Sequence, residues 1–575
     1  MNLRLGIAFP FGYESMPRMP QRTPSDLANP FFALLSWIKD YAVALSLGLV
    51  SFFLVLGWRI LIPTNVAWLA KNDPATFYLG WGFFRQTKWM WPPGANPNYG
   101  LDLGSSIFYS DSIPLVAIVA KLFSAWLPTP FQYWGIWLLL CFMLQAFFGW
   151  KLAELLTSRF WPKFFSSCLF VFAPPFLFRL NFHYSLCAQW LILASLYLCL
   201  QRSSYPRWYW WIVIGTLAAG IHSYIFAMVF FLWIADMIRR LFFDKAPLVN
   251  LGFEAVFFVG ISIVVLWISG FFLVQKGLDS WGLGDAHMNL LSLINSKNSP
   301  IGGKWSYVLP RGPSDSFDFE GFNYMGLGII FLSGFWLYST LSYRHFEKWD
   351  WQWFPLICIL SFLTIFALSN RIAFGHYILL TYSVPHIFEA LRSSGRMFWP
   401  VFYAGLFFLI RGLLKTHGYR TSLWVLGFAT VIQILDTSAG WLIVRHNRND
   451  SYGSTWNSPL QSEFWDKASS HYKYIYLVPS SIDAPKYYQT FAYYALQHGM
   501  GTDGAYLARI DPFKVASHNH KILMELSTGD FEPQTLYILD PDNAALAKNH
   551  IHPDSDLLDT IDGFTVLAPG WKTNR

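Results

Sequence analysis

Apolar runs of about 16 to 24 residues recur between Ser46 and Val444. No other feature constrains the fold as strongly. Written as a helix, a run of that length matches a hydrocarbon core about 30 Å thick, once tilt and short spans are allowed for. Charged residues make up 13% of the chain, half the share of about 25% usual in globular proteins. A chain of 575 residues would otherwise suggest several soluble domains. The periodicity overrides that prior. It points to a mainly α, polytopic helical membrane protein.

Eleven spans are expected, near 42–63, 131–150, 164–180, 186–201, 208–221, 223–238, 252–273, 323–341, 353–369, 397–413 and 422–444. The run SIPLVAIVAKLFSAWLP (112–128) is ambiguous, and counting it would reverse the side of every later loop. The positive-inside rule decides. With that run excluded, Lys151/Arg159/Lys163, Arg202/Arg207, Arg239/Arg240/Lys245, Arg344/Lys348 and Arg411/Lys415/Arg420 all fall on the side of the N-terminus. Residues 112–128 then form a helix lying at the outer interface or dipping in, consistent with Pro114 at its start and Lys121 in its middle. About forty residues precede the first run, which therefore reads as an uncleaved anchor.

The expected organisation is a cytoplasmic segment 1–40, a transmembrane domain 41–445 with a long outer loop 64–130, and an outer domain 446–575. The tail loses the long apolar runs and gains short alternating strands at 472–479, 535–540 and 564–569, with helical stretches between them, which reads as a small α/β domain. The basic residues are scattered through short loops, so the net charge of +7 does not imply nucleic acid. All five cysteines lie in apolar runs, and no disulfide framework is implied. P-loop, GxSxG, HExxH and CxxC patterns are absent from the sequence. Asp436 is the one clear acid expected within a span.

Chemistry-bearing residues gather in the segments expected outside. Asp73 follows the first span and precedes Pro74. It is either a helix N-cap or a rigidly aimed carboxylate, at the head of an amphipathic interfacial helix presenting Phe77, Trp81, Phe84 and Lys88. Asp111, in SDSIP, either caps the next helix or is spared that role by Ser110 and Ser112. Asp102 suits a Gly-rich turn. The stretch GANPNYGLDLGSSIFYSDSIP (94–114) then joins two interfacial helices and floors an outer site. His183 and His222 stand at the outer ends of different spans, where each is an interfacial or capping group, or else a general acid/base that also donates to a donor phosphate. Arg392 and Arg396, four apart at the outer start of a span, either snorkel or bind a phosphate, whose oxygens match the guanidinium fork. Arg371 and His376 are possible additions, and Asp285, His287, Glu320 and Asn323 are candidate substrate-binding groups.

A first span, an immediate outer Asp, a long loop with interfacial helices and further spans ending in an extracytoplasmic domain resemble the GT-C superfamily of membrane glycosyltransferases. The segments FYLGWGFFRQTKW, PPGANPNYGLDLGSSIFYSDSIPL, FHYSLCAQWLILA, EGFNYMGLG and LRSSGRMFWPVFYA resemble, more closely, a bacterial family of uncharacterised polytopic proteins. The resemblance covers most of residues 40 to 445. It implies a polyprenyl-linked sugar donor, an envelope acceptor, and a catalytic acid in the first outer loop, which by position is Asp73, with Asp111 as a second acid. It also implies the inner membrane of a bacterium, with the tail in the periplasm. A divalent cation, Mg or Mn, serves some members of the superfamily, but the pair of acids usual after the first span reads NDP here. The alternatives are a transporter or flippase of lipid-linked glycans and a non-catalytic envelope scaffold.

Overall fold

The computed structural model describes residues 30–201, 207–274, 283–296, 303–310, 312–313, 318–343, 350–481, 483 and 485–573. The first 29 residues, and with them most of the expected cytoplasmic segment, lie outside the described residues, as do Arg202, Arg344 and Lys348.

A helix stands at each of the eleven apolar runs. Among the described residues, six helices are long and apolar enough to cross a membrane: Trp134–Glu154, Phe160–Arg179, Leu248–Ile268, Trp351–Leu368, Ser394–Thr416 and Tyr419–Asn449. Three further apolar helices are shorter. The helix Pro30–Val55 packs against Trp134–Glu154 so closely that a Cβ on Gly48 would lie 2.5 Å from the Cα of Met143. Small residues permit such backbone approach between apolar helices. Pro174 and Pro175 break the second long helix after Val171, since proline cannot donate to the preceding turn. That break sets the direction of the short segment ending at Arg179, from which the chain turns to His183.

Residues 112–128 form a helix of nine residues, Pro114–Leu122, and a single 3-10 turn. Nine residues rise about 14 Å, too little to span a bilayer core of about 30 Å. Lys121 is buried against aromatic rings, its Nζ 4.0 Å from the centre of Phe84 and 4.5 Å from that of Trp89.

The helix Asp73–Gln86 departs from the expected interfacial, one-faced helix. Phe77, Trp81 and Phe84 are buried, but so is every residue from Pro74 to Trp81. Its second face is covered by the C-terminal helix Tyr488–His498. Thr76 Oγ1 lies 2.8 Å from Tyr488 Oη, and Gly82 abuts Leu496. Lys88 falls beyond the last residue of the helix.

The sequence also points to Asp436 as the only acid within a span, and that needs correction. Asp236 and Glu254 are both buried, in the helices Ser223–Phe242 and Leu248–Ile268. Their side chains meet Arg207, Arg239 and Arg240. Both acids lie inside expected spans, 223–238 and 252–273, and Asp236 stands three and four residues before Arg239 and Arg240, so only the Arg207–Asp236 and Arg240–Glu254 pairings, 29 and 14 residues apart, carry no local pattern.

The tail carries a five-stranded sheet in the spatial order Gly501–Thr502, Tyr474–Val478, Thr535–Leu539, Phe564–Ala568, Leu557–Ile561. The first three strands run parallel, and the last two join antiparallel. Helices Tyr488–His498 and Pro512–Thr528 form the crossovers that parallel pairing requires. The sheet continues into the loop of the helical domain. Tyr99 bridges Thr502 in parallel, with Gly100 N–H donating to Thr502 O at 2.8 Å and Thr502 N–H to Asn98 O at 3.0 Å. The polar stretch from Gly94 to Pro114 is therefore a seam between the two domains.

Candidate functional site

One cavity of about 280 Å³ opens where the seam, the helical domain and the tail meet. Asp73, Asp111, His183, His222, Arg392 and Arg396 all line it. They come from five places in the chain, and the fold brings them together through the breaks between helices. Asp73 is the first residue of its helix, after Asn72 at φ 57°, and no capping bond from the Asn72 side chain fixes the turn. His183 follows the Pro-broken helix. His222 occupies the junction of Trp208–Ile221 and Ser223–Phe242, where its Nδ1 accepts from Tyr224 N–H at 3.1 Å. Asp111 sits at φ 52° and Ile113 at φ 55°. A β-branched residue with positive φ is a genuine backbone outlier, of the kind that clusters at functional sites. Neither serine of SDSIP caps the following helix. Ser112 Oγ donates to Phe77 O at 2.8 Å and lies 2.9 Å from Ser110 Oγ, clamping the loop to the helix of Asp73.

The two carboxylates each face a histidine. His183 Nε2 is 3.5 Å from Asp73 Oδ2, and His222 Nε2 is 3.8 Å from Asp111 Oδ1. Ser185 Oγ donates to Asp111 at 2.7 Å. Burial, reinforced by the Glu320 charge, pushes Asp73 up to about 6, although 35% of its side chain remains accessible through the cavity. Burial pushes Asp111 up to about 7, against the opposing pull of Ser185 and Arg396. The histidines move the other way. Burial lowers His183 to about 3 and takes His222 well below its ordinary value. At neutral pH both imidazoles are neutral, so these are close approaches between a carboxyl and a neutral ring rather than ion pairs.

Arg396 is partly committed. Its Nε and Nη2 donate to the two carboxylate oxygens of Glu320 at 2.8 and 2.7 Å, and Arg179 Nη1 reaches the same carboxylate at 2.6 Å. Burial alone would raise Glu320, but the Arg396 and Arg179 charges outweigh it and hold the carboxyl well below its usual range. Glu320, expected to bind substrate, is therefore the counter-ion of two arginines and does not line the cavity. The other candidate substrate groups also stand elsewhere. Asp285 pairs with Arg371 at 3.3 Å. His287 is wholly buried beneath Gly321 and Gly395. Asn323 spans Gly321 O and Gly395 O with its Nδ2 at 3.0 and 3.2 Å. His376 lies against Tyr377, the rings tilted with centroids 4.2 Å apart, and does not line the cavity. Asp436, which accepts from Ser306, Tyr324 and the Leu327 N–H, anchors the segment before the helix Leu327–Tyr343.

Among the described residues, His, Cys, Asp and Glu nowhere gather in groups of three or more suited to a metal. Asp73 and Asp111 offer a hydrated divalent ion two carboxylates at most, enough for Mg²⁺ only if it keeps several waters.

Sequence reasoning missed Tyr224, Tyr506 and Arg509, which also line the cavity. Tyr506 and Arg509 belong to the tail, and only a tertiary contact nearly four hundred residues long places them beside Tyr109. A helical domain whose broken helices end on a cavity, closed by an α/β domain, defines the class. The family described as "Domain of unknown function (DUF6311)" matches residues 45–438, and the "DUF6311 C-terminal domain" matches residues 464–569. The chain belongs to the DUF6311 family. No curated protein and no solved structure matches it.

Proposed function

We propose that the protein is a GT-C-type glycosyltransferase, moving a sugar from a polyprenyl-phosphate-type donor to an envelope acceptor at the outer face of a bacterial inner membrane. In this reading all eleven apolar helices are spans, and the cavity and the α/β domain face the periplasm. The observation that carries it is the convergence of two carboxylates of raised pKa, two neutral histidines and two arginines on one cavity. A carboxyl near neutrality suits a general base. Asp73, the more readily ionised and the more accessible of the two, takes the proton of the acceptor hydroxyl. The hydroxyl oxygen bonds to the anomeric carbon as the bond from that carbon to the phosphate oxygen breaks. The phosphate leaves with the electron pair, and its growing charge is met by Arg392 and by the N–H groups of Arg396 that Glu320 does not use. Asp111, held by Ser185, orients the acceptor.

Transport is the rival. Its usual mark is charge placed along a path through the membrane. Asp236 and Glu254 are instead neutralised by arginines, Asp436 is taken up by Ser306, Tyr324 and the Leu327 N–H, and all three lie off the cavity. The test is transfer from radiolabelled polyprenyl-phosphate hexoses and pentoses to envelope lipid extract, with wild type, Asp73→Asn and Arg392→Ala. The absence of both transfer and donor hydrolysis with wild type would sink the transferase reading. Undiminished transfer by Asp73→Asn would remove Asp73 as the base.

A further inference from the structure

The segment around Arg509 is held more firmly than a loop of a merely accessory domain needs to be. Leu507 and Ile510, on either side, are buried. Ala508 N–H donates to Tyr109 O at 2.8 Å, which ties the segment to the loop bearing Asp111. Asp511 then caps the helix Pro512–Thr528, its Oδ1 accepting from Phe513 N–H at 3.0 Å. Arg509 thus projects from a fixed origin into the wall of the cavity.

Its guanidinium is oddly provisioned. Nη1 donates to Ala508 O at 2.9 Å and Nη2 to Ala390 O at 3.5 Å. Two of five N–H donors are thereby used, both on neutral carbonyls. Among the described residues Arg509 has no carboxylate partner, whereas Arg396 and Arg371 each have one. Arg392 and Arg396 line the same cavity. Burial, and then the Arg392 charge, pull Arg509 below the usual arginine range. An anion entering the cavity would offset the burial and the Arg392 repulsion that Arg509 bears, and a guanidinium fork is matched to phosphate oxygens.

We propose that Arg509 of the C-terminal domain, beside Arg392, forms the subsite that takes the phosphate or diphosphate of the ligand, so that the cavity is competent only with that domain docked. This rests on the transferase reading for the nature of the ligand, but not for the existence of an anion site. The shared chemistry is a phosphate or diphosphate group with oxygens open to a guanidinium, whether lipid-linked or free.

The test is binding by the full-length protein in detergent, with farnesyl phosphate as the lipid-linked probe and inorganic pyrophosphate as the free one. Arg509→Ala is expected to weaken binding at least tenfold, and Arg509→Lys to fall between it and wild type. Lys467→Ala, which removes an exposed cation of the same domain, should bind as wild type. Arg509→Gln serves as a second variant if Arg509→Ala melts early. A lipid donor site predicts that farnesyl phosphate binds the more tightly. Pyrophosphate binding the better, still through Arg509, would assign the subsite to a free diphosphate. Binding unchanged in both Arg509→Ala and Arg509→Gln, or no binding of either probe by wild type, would overturn the proposal. Arg509-dependent binding without sugar transfer would remove the transferase reading and leave the anion subsite supported.

Discussion

His183 Nε2 and Asp73 Oδ2 lie 3.5 Å apart, with the carboxyl raised to about 6 and the imidazole lowered to about 3. This inverts the usual order, in which the histidine would carry the proton. As pH falls the carboxyl protonates first, and the imidazole stays neutral throughout the working range. A base that must be ionised makes the rate rise with pH. Transfer should increase about tenfold per pH unit below about 6 and level off above about 7, the values of Asp73 and Asp111. Initial rates between pH 4.5 and 8.5 check this. A rate that falls as pH rises through that window would exclude both carboxyls as the base.

The same shifts carry a stability cost of known sign. Asp111 is raised from 3.8 to about 7 in the folded chain, so the folded state binds the proton more tightly than the unfolded one. Stability is greatest below about 4 and falls as pH rises through about 7. Asp111→Asn should therefore stabilise the fold by on the order of a few kcal/mol at pH 8, seen as a raised melting temperature, and by much less at pH 4.5, while transfer is lost. Thermal melts in detergent at the two pH values decide it. Equal effects at both would show that the burial of this carboxyl is not what strains the site.

Glu320 neutralises Arg179 and Arg396 at once. Glu320→Gln leaves two buried guanidiniums facing each other, and breaking such a group costs about 3–5 kcal/mol. A large drop in melting temperature is expected, with Arg396→Ala less severe because Arg179 keeps its partner. If Glu320→Gln folded as stably as wild type and only weakened substrate binding, the carboxylate would be a ligand group after all.

A Cβ on Gly80 would fall 2.3 Å from Ser110 Oγ and 2.7 Å from Ser112 Oγ. Those serines clamp the loop of Asp111, which already holds two residues at positive φ. Gly80→Ala must displace the loop, since the neighbouring helix backbone cannot yield. Overpacking of this kind costs about 1–3 kcal/mol, and transfer should fall at least tenfold although Gly80 is not on the cavity wall. Activity retained at the wild-type level would mean that the placement of Asp111 is not critical.

What the sequence makes legible here is what local pattern encodes. The apolar runs mark the helices, and alternation marks the three tail strands. The acids, histidines and arginines near helix ends mark the cavity, because helix breaks are where side chains of different segments converge. Pairings across long separations carry no such signal. Arg396 and Glu320 stand 76 residues apart, so a phosphate ligand and a substrate ligand look plausible one at a time, although each is mainly the other's partner. The helix Asp73–Gln86 reads as interfacial because its second cover, Tyr488, lies 412 residues from Thr76. Arg509 is silent for the same reason.

The docking of the tail has a titratable hinge point. His518 is fully buried, its Nε2 3.0 Å from Asp503 in its own domain and its Nδ1 3.5 Å from Asp102 in the seam. Burial alone would lower the imidazole, but hydrogen bonding and charge from Asp503, then Asp102, raise it above 6.5. A group raised on folding contributes its full stabilisation below the unfolded value and loses it as pH rises through the folded one. The seam should therefore loosen above neutrality, read as lower protection factors at Asn98–Gly100 and Gly501–Thr502 at pH 8.5 than at 6, each rate being divided by the intrinsic rate at that pH. The two acids should differ. Asp503 also accepts from Leu477 N–H at 2.8 Å and Ser480 Oγ at 2.5 Å, so Asp503→Asn should destabilise the tail by about 1–3 kcal/mol. Asp102 is 62% exposed, so Asp102→Asn should change stability by no more than about 1 kcal/mol while still reducing the pH dependence. Protection factors at the seam that are independent of pH in wild type would show that His518 holds one charge state throughout and does not govern docking.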